Sequence, residues 1–246
     1  MPIAEFGPCE RVLVIAPHPD DAEIGCGGTV ARLTREGVSV HYVIATNGDK
    51  GTEDPNLTNE DLARIREREQ RGAAELLGVT DVTILQNGDG ELVDGHDLLR
   101  EITRHVRRVR PDIVLTTDPF RTSFYIHRDH RITGMVAMDA VFPFARDRLH
   151  FPEHMELGLE PHKTAEIYFW GAEEPDVFVD ISDTIDVKIE ATKVHESQFG
   201  ADAGEWIRRW AERIGAQRGM GHAEEFRRYG ISRMMLDGEG DNDTDQ

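Results

Sequence analysis

The stretch Arg11-Val-Leu-Val-Ile-Ala16 runs directly into Pro17-His18-Pro19-Asp20-Asp21-Ala22-Glu23. Its apolar, β-branched residues predict a short strand that is buried on both faces. The prolines and aspartates that follow predict the start of a helix. Because ligands of open α/β folds bind at the carboxyl ends of the strands, we expect an imidazole and two carboxylates to face the ligand crevice at this junction.

Strands and helices alternate outward from this junction. We predict strands at 11–16, 38–45, 82–85 and 112–116, and helices at 22–35, 59–77, 97–110 and 128–141. This alternation indicates an α/β fold with a Rossmann-like, mostly parallel sheet that carries helices on both faces. Beyond the last of these helices we predict a C-terminal strand and helix extension, with strands at 166–170 and 177–181 and helices at 184–199 and 204–213.

The length and composition favour one domain. A chain of 246 residues suits a single α/β domain, which we place at 1–236, followed by an acidic disordered tail at 237–246. The formal net charge of −19 argues against nucleic acid and anionic membrane surfaces as partners. The sequence shows neither an apolar span of about 20 residues nor a secretory signal, and Cys9 and Cys26 fit free thiols, so we expect a cytoplasmic protein.

The first candidate site lies in the opening junction. If the chain turns helical after Pro19, His18 and Asp21 reach one face of the first turn, while Asp20 points elsewhere. His and Asp are ligands that a catalytic divalent metal uses, and a helix N-terminus keeps carboxylates ionised. The alternative is that the aspartates only cap the helix, which explains one carboxylate but neither the second nor the imidazole.

A second candidate cluster is Tyr125-Ile-His127-Arg-Asp129-His130. It follows the predicted strand at 112–116, so it belongs to the same edge of the sheet. One of the two histidines can complete a His/Asp/His metal set while the other acts as an acid or oxyanion donor, and Asp129 can orient either ring. Two surface histidines in a polar turn would be the simpler interpretation if this cluster stood alone.

These segments together resemble the PIG-L/LmbE family of metal-dependent N-acetylglucosaminyl deacetylases. The resemblance is carried by Pro-His-Pro-Asp-Asp-Ala-Glu and the downstream His-x-Asp-His, and it extends from about residue 11 to about residue 230. Pro17 replaces the alanine of the commoner family form, which leaves the ligands untouched. The family implies an LmbE-like fold and removal of the N-acetyl group from a 2-acetamido sugar.

Roles for individual residues follow from the resemblance. It implies zinc ligands at His18, Asp21 and His130. It implies Asp20 as general base, His127 as acid or electrostatic partner and Tyr125 as a group that polarises the amide carbonyl. Arg66 and Asp89 fall where the family contacts the sugar, whereas His195 and His222 are open between substrate contact and a structural role. Fe²⁺ or another divalent ion also suits a His/Asp/His set.

The resemblance also implies a small soluble GlcNAc conjugate as the substrate and makes a homo-oligomer an expectation. Three alternatives stay open. A metal-dependent phosphoesterase would use two metals and more carboxylate ligands. A non-catalytic sugar-binding protein would not need Asp20 or a complete ligand set. A nucleotide-binding Rossmann protein is disfavoured, because Gly25-Cys-Gly-Gly28 lacks the G-x-G-x-x-G spacing.

Overall fold

The computed structural model describes residues 5–200 and 202–231. Seven strands in this part of the chain form a single sheet: β1 Arg11–Ala16, β2 Ser39–Thr46, β3 Asp81–Asn87, β4 Ile113–Thr117, β5 Glu166–Trp170, β6 Val177–Asp180 and β7 Ala223–Gly230. The α-helices of the same part are α1 Asp21–Arg35, α2 Asn59–Leu76, α3 His96–Val109, α4 Arg128–Val141, α5 Glu153–Glu156, α6 Ile185–Lys193 and α7 Ala203–Ala216. The predicted tail at 237–246 lies outside the described residues.

The strand order β3-β2-β1-β4-β5-β7-β6 determines where on the sheet a ligand is expected to bind. The chain proceeds from β1 to β2 and β3 on one side, and then returns to β4 and β5 on the other. β1 pairs in parallel with both β2 and β4. The loops that leave β1 and β4 therefore diverge at the point where the strand order reverses, and this is where ligands bind in open α/β sheets.

Helices cover both faces of the sheet, as the alternation predicts. On one face, α1, α2, α6 and α7 enclose a core that includes Val12, Val14 and Tyr42. On the other face, α3 and α4 cover Leu13, Ile15 and Val43. Successive residues of β1 alternate between these two cores, which is why that strand is apolar at every position after Arg11.

The C-terminal part differs from the prediction in one strand. β7 lies between β5 and β6 and is antiparallel to both, so the sheet is mixed at this edge. Its sequence, Ala223-Glu-Glu-Phe-Arg-Arg-Tyr-Gly230, lacks an apolar face because Glu224 points inward. The Glu224 carboxylate is buried, pairs with Lys188 Nζ at 2.5 Å and accepts the backbone N–H of Thr29 at 2.7 Å.

The helix predicted at 184–199 is also too long. It ends at Lys193, although no proline or glycine interrupts the sequence before Gly200. Beyond the helix the chain turns to hold two glutamates: His195 Nε2 lies 3.2 Å from Glu23 Oε2, and Ser197 donates to Glu69 through its N–H and its hydroxyl. Tertiary hydrogen bonds thus override the local helical pattern.

Among the described residues, no helix has both the length and the apolar character needed to cross a bilayer.

Candidate active site

The turn between β1 and α1 presents three polar side chains to the crevice. α1 begins only at Asp21, so His18 lies before the helix and not in its first turn as predicted. The two residues meet because the turn folds back: the His18 N–H donates to Asp21 Oδ2 at 3.0 Å, and His18 Nδ1 lies 3.0 Å from the same oxygen. Asp20 has φ 116°, a left-handed conformation that favours glycine, and its carboxylate bonds to Arg66.

The loop between β4 and α4 supplies the second set of side chains. His127 is the N-cap of α4, where its Nδ1 accepts the Asp129 N–H at 3.2 Å. His130 lies in the first turn and is buried, with its Nδ1 3.3 Å from Thr117 Oγ1. The predicted position of both histidines at a helix start is confirmed. The Tyr125 ring lies 5.0 Å from the His130 ring, at a residue with φ 44°.

Asp21 connects the two loops. Its Oδ2 lies 3.0 Å from His18 Nδ1 and 3.2 Å from His130 Nε2. Burial by itself raises the pKa of Asp21, but the two histidines outweigh it and hold the pKa well below the usual range. His130 Nε2 is buried and has no hydrogen-bond partner among the described residues, despite its closeness to the carboxylate.

This arrangement fits a divalent metal. Donor atoms around a tetrahedral zinc ion are about 3.3 Å apart, close to the two distances from Asp21. The nitrogen without a hydrogen bond and the adjacent carboxylate oxygen direct lone pairs into the same space. Ring nitrogens of His18, His127 and His130 also lie within 4.8 Å of one another, but Nδ1 of His127 is already used as the helix cap.

The other nitrogen of His18 faces two further carboxylates. His18 Nε2 lies 3.2 Å from Asp89 Oδ1 and 3.3 Å from Asp129 Oδ2. Asp129 is fully buried and also accepts the Gly90 N–H at 2.6 Å. A carboxylate that receives the second N–H of a histidine fixes the tautomer and makes the ring a better ligand, so Asp129 has the orienting position expected from the sequence.

Asp20 occupies a distinct environment beside this cluster. Its Oδ2 accepts a hydrogen bond from Arg66 Nη2 at 3.0 Å. Burial and the neighbouring charge of Asp21 raise the pKa of Asp20 to about 7, although Arg66 opposes this shift. Such a carboxyl group can exchange a proton near neutral pH, which is a property of general bases and acids.

A cavity of about 480 Å³ opens at these residues. Asp20, Asp21, His130, Tyr125 and Arg121 are among the residues that line it. Trp170, Phe199, Trp206 and Trp210 line it as well, and we call these four residues the aromatic wall. The Phe199, Trp206 and Trp210 rings follow one another with centroids 6.2 and 6.4 Å apart. The lining thus combines ionisable and aromatic side chains.

The sequence predictions are met unequally. His18, Asp20, Asp21, Tyr125, His127 and His130 come together, whereas Arg66 and Asp89 contact Asp20 and His18 and do not line the cavity. His195 is buried against Glu23, and His222 lies 3.6 Å from Glu212 outside the cavity. Arg121 and the aromatic wall also line the cavity, but no recognisable motif in the sequence marks these residues.

Known proteins with similar sequences identify the group to which the chain belongs. Residues 13–141 match the family described as GlcNAc-PI de-N-acetylase, PIG-L. The chain is also 38% identical over 226 residues to the diacetylchitobiose deacetylase of Thermococcus kodakarensis, which covers 90% of this chain and 84% of that relative. The chain belongs to the PIG-L family.

Two further PIG-L relatives support this placement. A protein of Bacillus anthracis named as a probable N-acetyl-alpha-D-glucosaminyl L-malate deacetylase 2 is 28% identical over 209 residues, 83% of this chain and 88% of its own. The solved N,N'-diacetylchitobiose deacetylase of Pyrococcus horikoshii, in complex with its inhibitor MPG, has a TM-score of 0.86 at 35% identity and covers 92% and 86% of the two chains. The predicted fold and the family resemblance are confirmed, and the family is one of enzymes that hydrolyse N-acetyl groups.

Proposed function

We propose that this protein removes the N-acetyl group from a 2-acetamido-2-deoxy sugar in a GlcNAc conjugate and releases acetate and the free amine. The observation that carries the proposal is the division of the two neighbouring aspartates. Asp21 lies next to both His18 and His130, while the Asp20 carboxylate lines the cavity and pairs with Arg66. An amide hydrolase with a metal needs this pair of roles, one carboxylate as ligand and one as base.

His18, Asp21 and His130 would hold the metal. We propose Zn²⁺, since two imidazoles and one carboxylate leave an open position for substrate in a catalytic zinc site, and Fe²⁺ or another divalent ion suits the same donors. When bound, such an ion supplies Lewis acidity for the amide carbonyl and lowers the pKa of water. Asp89 and Asp129 keep the His18 ring in place from its Nε2 side.

The remaining groups act on protons and on the developing charge. The Asp20 carboxylate accepts a proton from the attacking water, and Arg66 holds its Oδ2 in place. His127 is half-buried with its ring 5.5 Å from the His130 ring, and its Nε2 is free of the cap, so it can donate a proton to the leaving amine or a hydrogen bond to the oxyanion. The Tyr125 hydroxyl, on a residue that lines the cavity, is a second candidate donor.

The cavity supports a substrate larger than the acetamido group alone. Its volume falls in the range of small-molecule sites, and its aromatic wall offers ring faces on which sugar C–H groups can lie. The diacetylchitobiose deacetylases of the comparison are named for a substrate with two sugar rings. We therefore propose a small GlcNAc conjugate as substrate, with Arg66 and Asp89 as sugar-contacting candidates if either side chain turns into the cavity.

A two-metal phosphoesterase is the alternative function, and one group of donor atoms bears on it. His18, Asp89 and Asp129 have donor atoms within 4.8 Å of one another, so a second ion has potential ligands on the far side of His18. In two-metal sites the ions are about 3.5–4 Å apart. Two ions bound to the two nitrogens of the His18 ring would be farther apart than this, so the arrangement does not match a two-metal site. Metal analysis decides between the two readings, since the deacetylase proposal requires one ion per chain.

The first test replaces the proposed base. We expect Asp20→Asn to keep the metal and lose about 10²- to 10⁴-fold in kcat for acetate release, because an amide cannot accept the proton. Acetate is measured across a panel of GlcNAc conjugates, and bound metal by elemental analysis. Asp139→Asn is the matched control, since this half-buried aspartate lies in α4 away from the cavity lining. A fully active Asp20→Asn enzyme would rule out the assignment.

A further inference from the structure

A buried chain of hydrogen bonds ends on the backbone of Asp20. The Asp20 N–H donates to Gln70 Oε1 at 2.9 Å, and the Gln70 amide nitrogen donates to Glu23 Oε1 at 3.0 Å. The other carboxylate oxygen of Glu23 lies 3.2 Å from His195 Nε2. Glu23, Gln70 and His195 all have 0% of their surface exposed.

This chain joins three separate segments: α2 supplies Gln70, α1 supplies Glu23, and the turn after α6 supplies His195. Burying three polar side chains is costly unless their hydrogen bonds are made, so a core of apolar residues would be the simpler solution for packing α2 against α1. The orientation of the Gln70 amide is fixed by its partners. A carboxylate only accepts hydrogen bonds and a backbone N–H only donates, so the NH₂ group faces Glu23 and the oxygen faces Asp20.

The residue at the end of the chain is held in an unfavourable conformation. Asp20 has φ 116° and ψ −31°, a backbone conformation that is strained for any residue except glycine. Such a conformation persists only where the surroundings over-determine it. Asp20 is held at both ends, since Gln70 binds its backbone N–H and Arg66 donates to its carboxylate at 3.0 Å.

We propose that Gln70, held by Glu23 and His195, is a positioning residue that fixes the strained Asp20 backbone and thereby aims the Asp20 carboxylate into the cavity. This inference rests on the proposed role of Asp20 as the base. Gln70 suits the task because one amide group donates and accepts at the same time. The sequence left His195 open between substrate contact and a structural role. In the structure it contacts Glu23 and is not among the residues that line the cavity.

The test uses the metal-loaded, full-length enzyme with Gln70→Met, which keeps the side-chain length and removes both hydrogen bonds. We expect kcat to fall about 10- to 100-fold, as for other residues that orient a catalytic group from behind, with KM and the bound-metal content unchanged. His195→Phe should lower kcat in the same direction, while His195→Gln, which retains a donor toward Glu23, should restore most of it. His105→Phe is the matched control, because His105 is also buried but bonds within α3 on the opposite face of the sheet.

A double-mutant cycle separates positioning from general stability. In an Asp20→Asn background, Gln70→Met should cost less than about twofold in residual kcat, since the group that it aims no longer accepts a proton. An equal loss in both backgrounds would overturn the inference, as would a Gln70→Met enzyme that melts earlier but keeps the kcat of the wild type. If Asp20→Asn itself is fully active, the proposed base is wrong and the positioning role falls with it. If Asp20→Asn is inactive and Gln70→Met is normal, only the positioning role is wrong.

Discussion

The His/Asp residues of the site and the aromatic wall are built from different parts of the chain. His18, Asp20, Asp21, His127 and His130 come from the loops after β1 and β4 and lie within the family match at 13–141. All four residues of the aromatic wall lie beyond residue 141.

The two regions also differ in how firmly each side chain is held. His18 and Asp21 are buried and fixed by hydrogen bonds of 3.0 Å, and Asp129 fixes His18 from its other side. Trp206 and Trp210 are half-buried in α7, where they line the cavity. Apolar contacts with a substrate tolerate small movements of a side chain better than the geometry of metal ligands does. We therefore propose that the first region carries the reaction and that the second selects the group attached to the acetamido sugar.

The largest loss is predicted for Asp21, the proposed metal ligand that lies between His18 and His130. We expect Asp21→Ala to lose the metal and at least about 10³-fold in activity on every substrate, because a bound ion contributes several kcal/mol to the transition state. Metal content and acetate release are measured together. Removal of the ion from the unaltered enzyme with a chelator should give the same loss, and addition of Zn²⁺ or Fe²⁺ should reverse it.

Asp118→Ala provides the control for that substitution. Asp118 follows β4 and is also buried, but it bonds to the Phe120 N–H and not to a histidine. An Asp21→Ala enzyme that keeps one ion per chain would show that the metal is held by other residues, and the set of His18, Asp89 and Asp129 would be the next candidate.

A smaller and selective loss is expected at the aromatic wall. Trp210→Ala should lower kcat/KM about fivefold for conjugates with a second ring, since the loss of one stacked aromatic contact is worth about 1 kcal/mol. The same variant should act almost normally on N-acetylglucosamine itself. Trp210 also lies 5.9 Å from Lys188 Nζ, so Trp210→Phe is the control that keeps a ring at this position. Equal losses for both substrates would place the selectivity elsewhere.

The difference between the two regions explains what the sequence could predict. A turn with His and two Asp after a buried strand, and a second His pair after another strand, must meet if the strands are adjacent and parallel, as β1 and β4 are. The aromatic wall depends instead on tertiary packing, which brings Trp170 of β5, Phe199 of the turn before α7, and Trp206 and Trp210 of α7 to one cavity. Trp206 and Trp210 are four residues apart, a spacing that is typical of an ordinary core-facing helix.

Other features were hidden for related reasons. Glu224 interrupts the apolar alternation of β7, and the sequence does not show why because its partner Lys188 lies in another element. Gln70 lies in α2 and belongs to no recognisable motif. In both cases a buried polar side chain is explained only by a partner that the fold supplies. The cytoplasmic location and a homo-oligomer stay predictions.

The smallest expected effect concerns the loop that links the two regions. Thr122 and Ser123 donate their N–H and hydroxyl groups to the Glu173 carboxylate, three residues or fewer before Tyr125. These hydrogen bonds lower the pKa of Glu173 to about 2, so the carboxylate is charged throughout the usual assay range and its contribution is lost only as the pH falls toward that value. Glu173→Gln removes the charge but keeps one acceptor, and we expect a loss of about threefold in kcat through a less well placed Tyr125. Glu174→Gln is the neighbouring control, because that side chain has no contact with the loop among its described partners. The double variant Glu173→Gln/Tyr125→Phe provides the check. If its loss in kcat equals the product of the two single losses, the hydrogen bonds to Glu173 do not act through Tyr125.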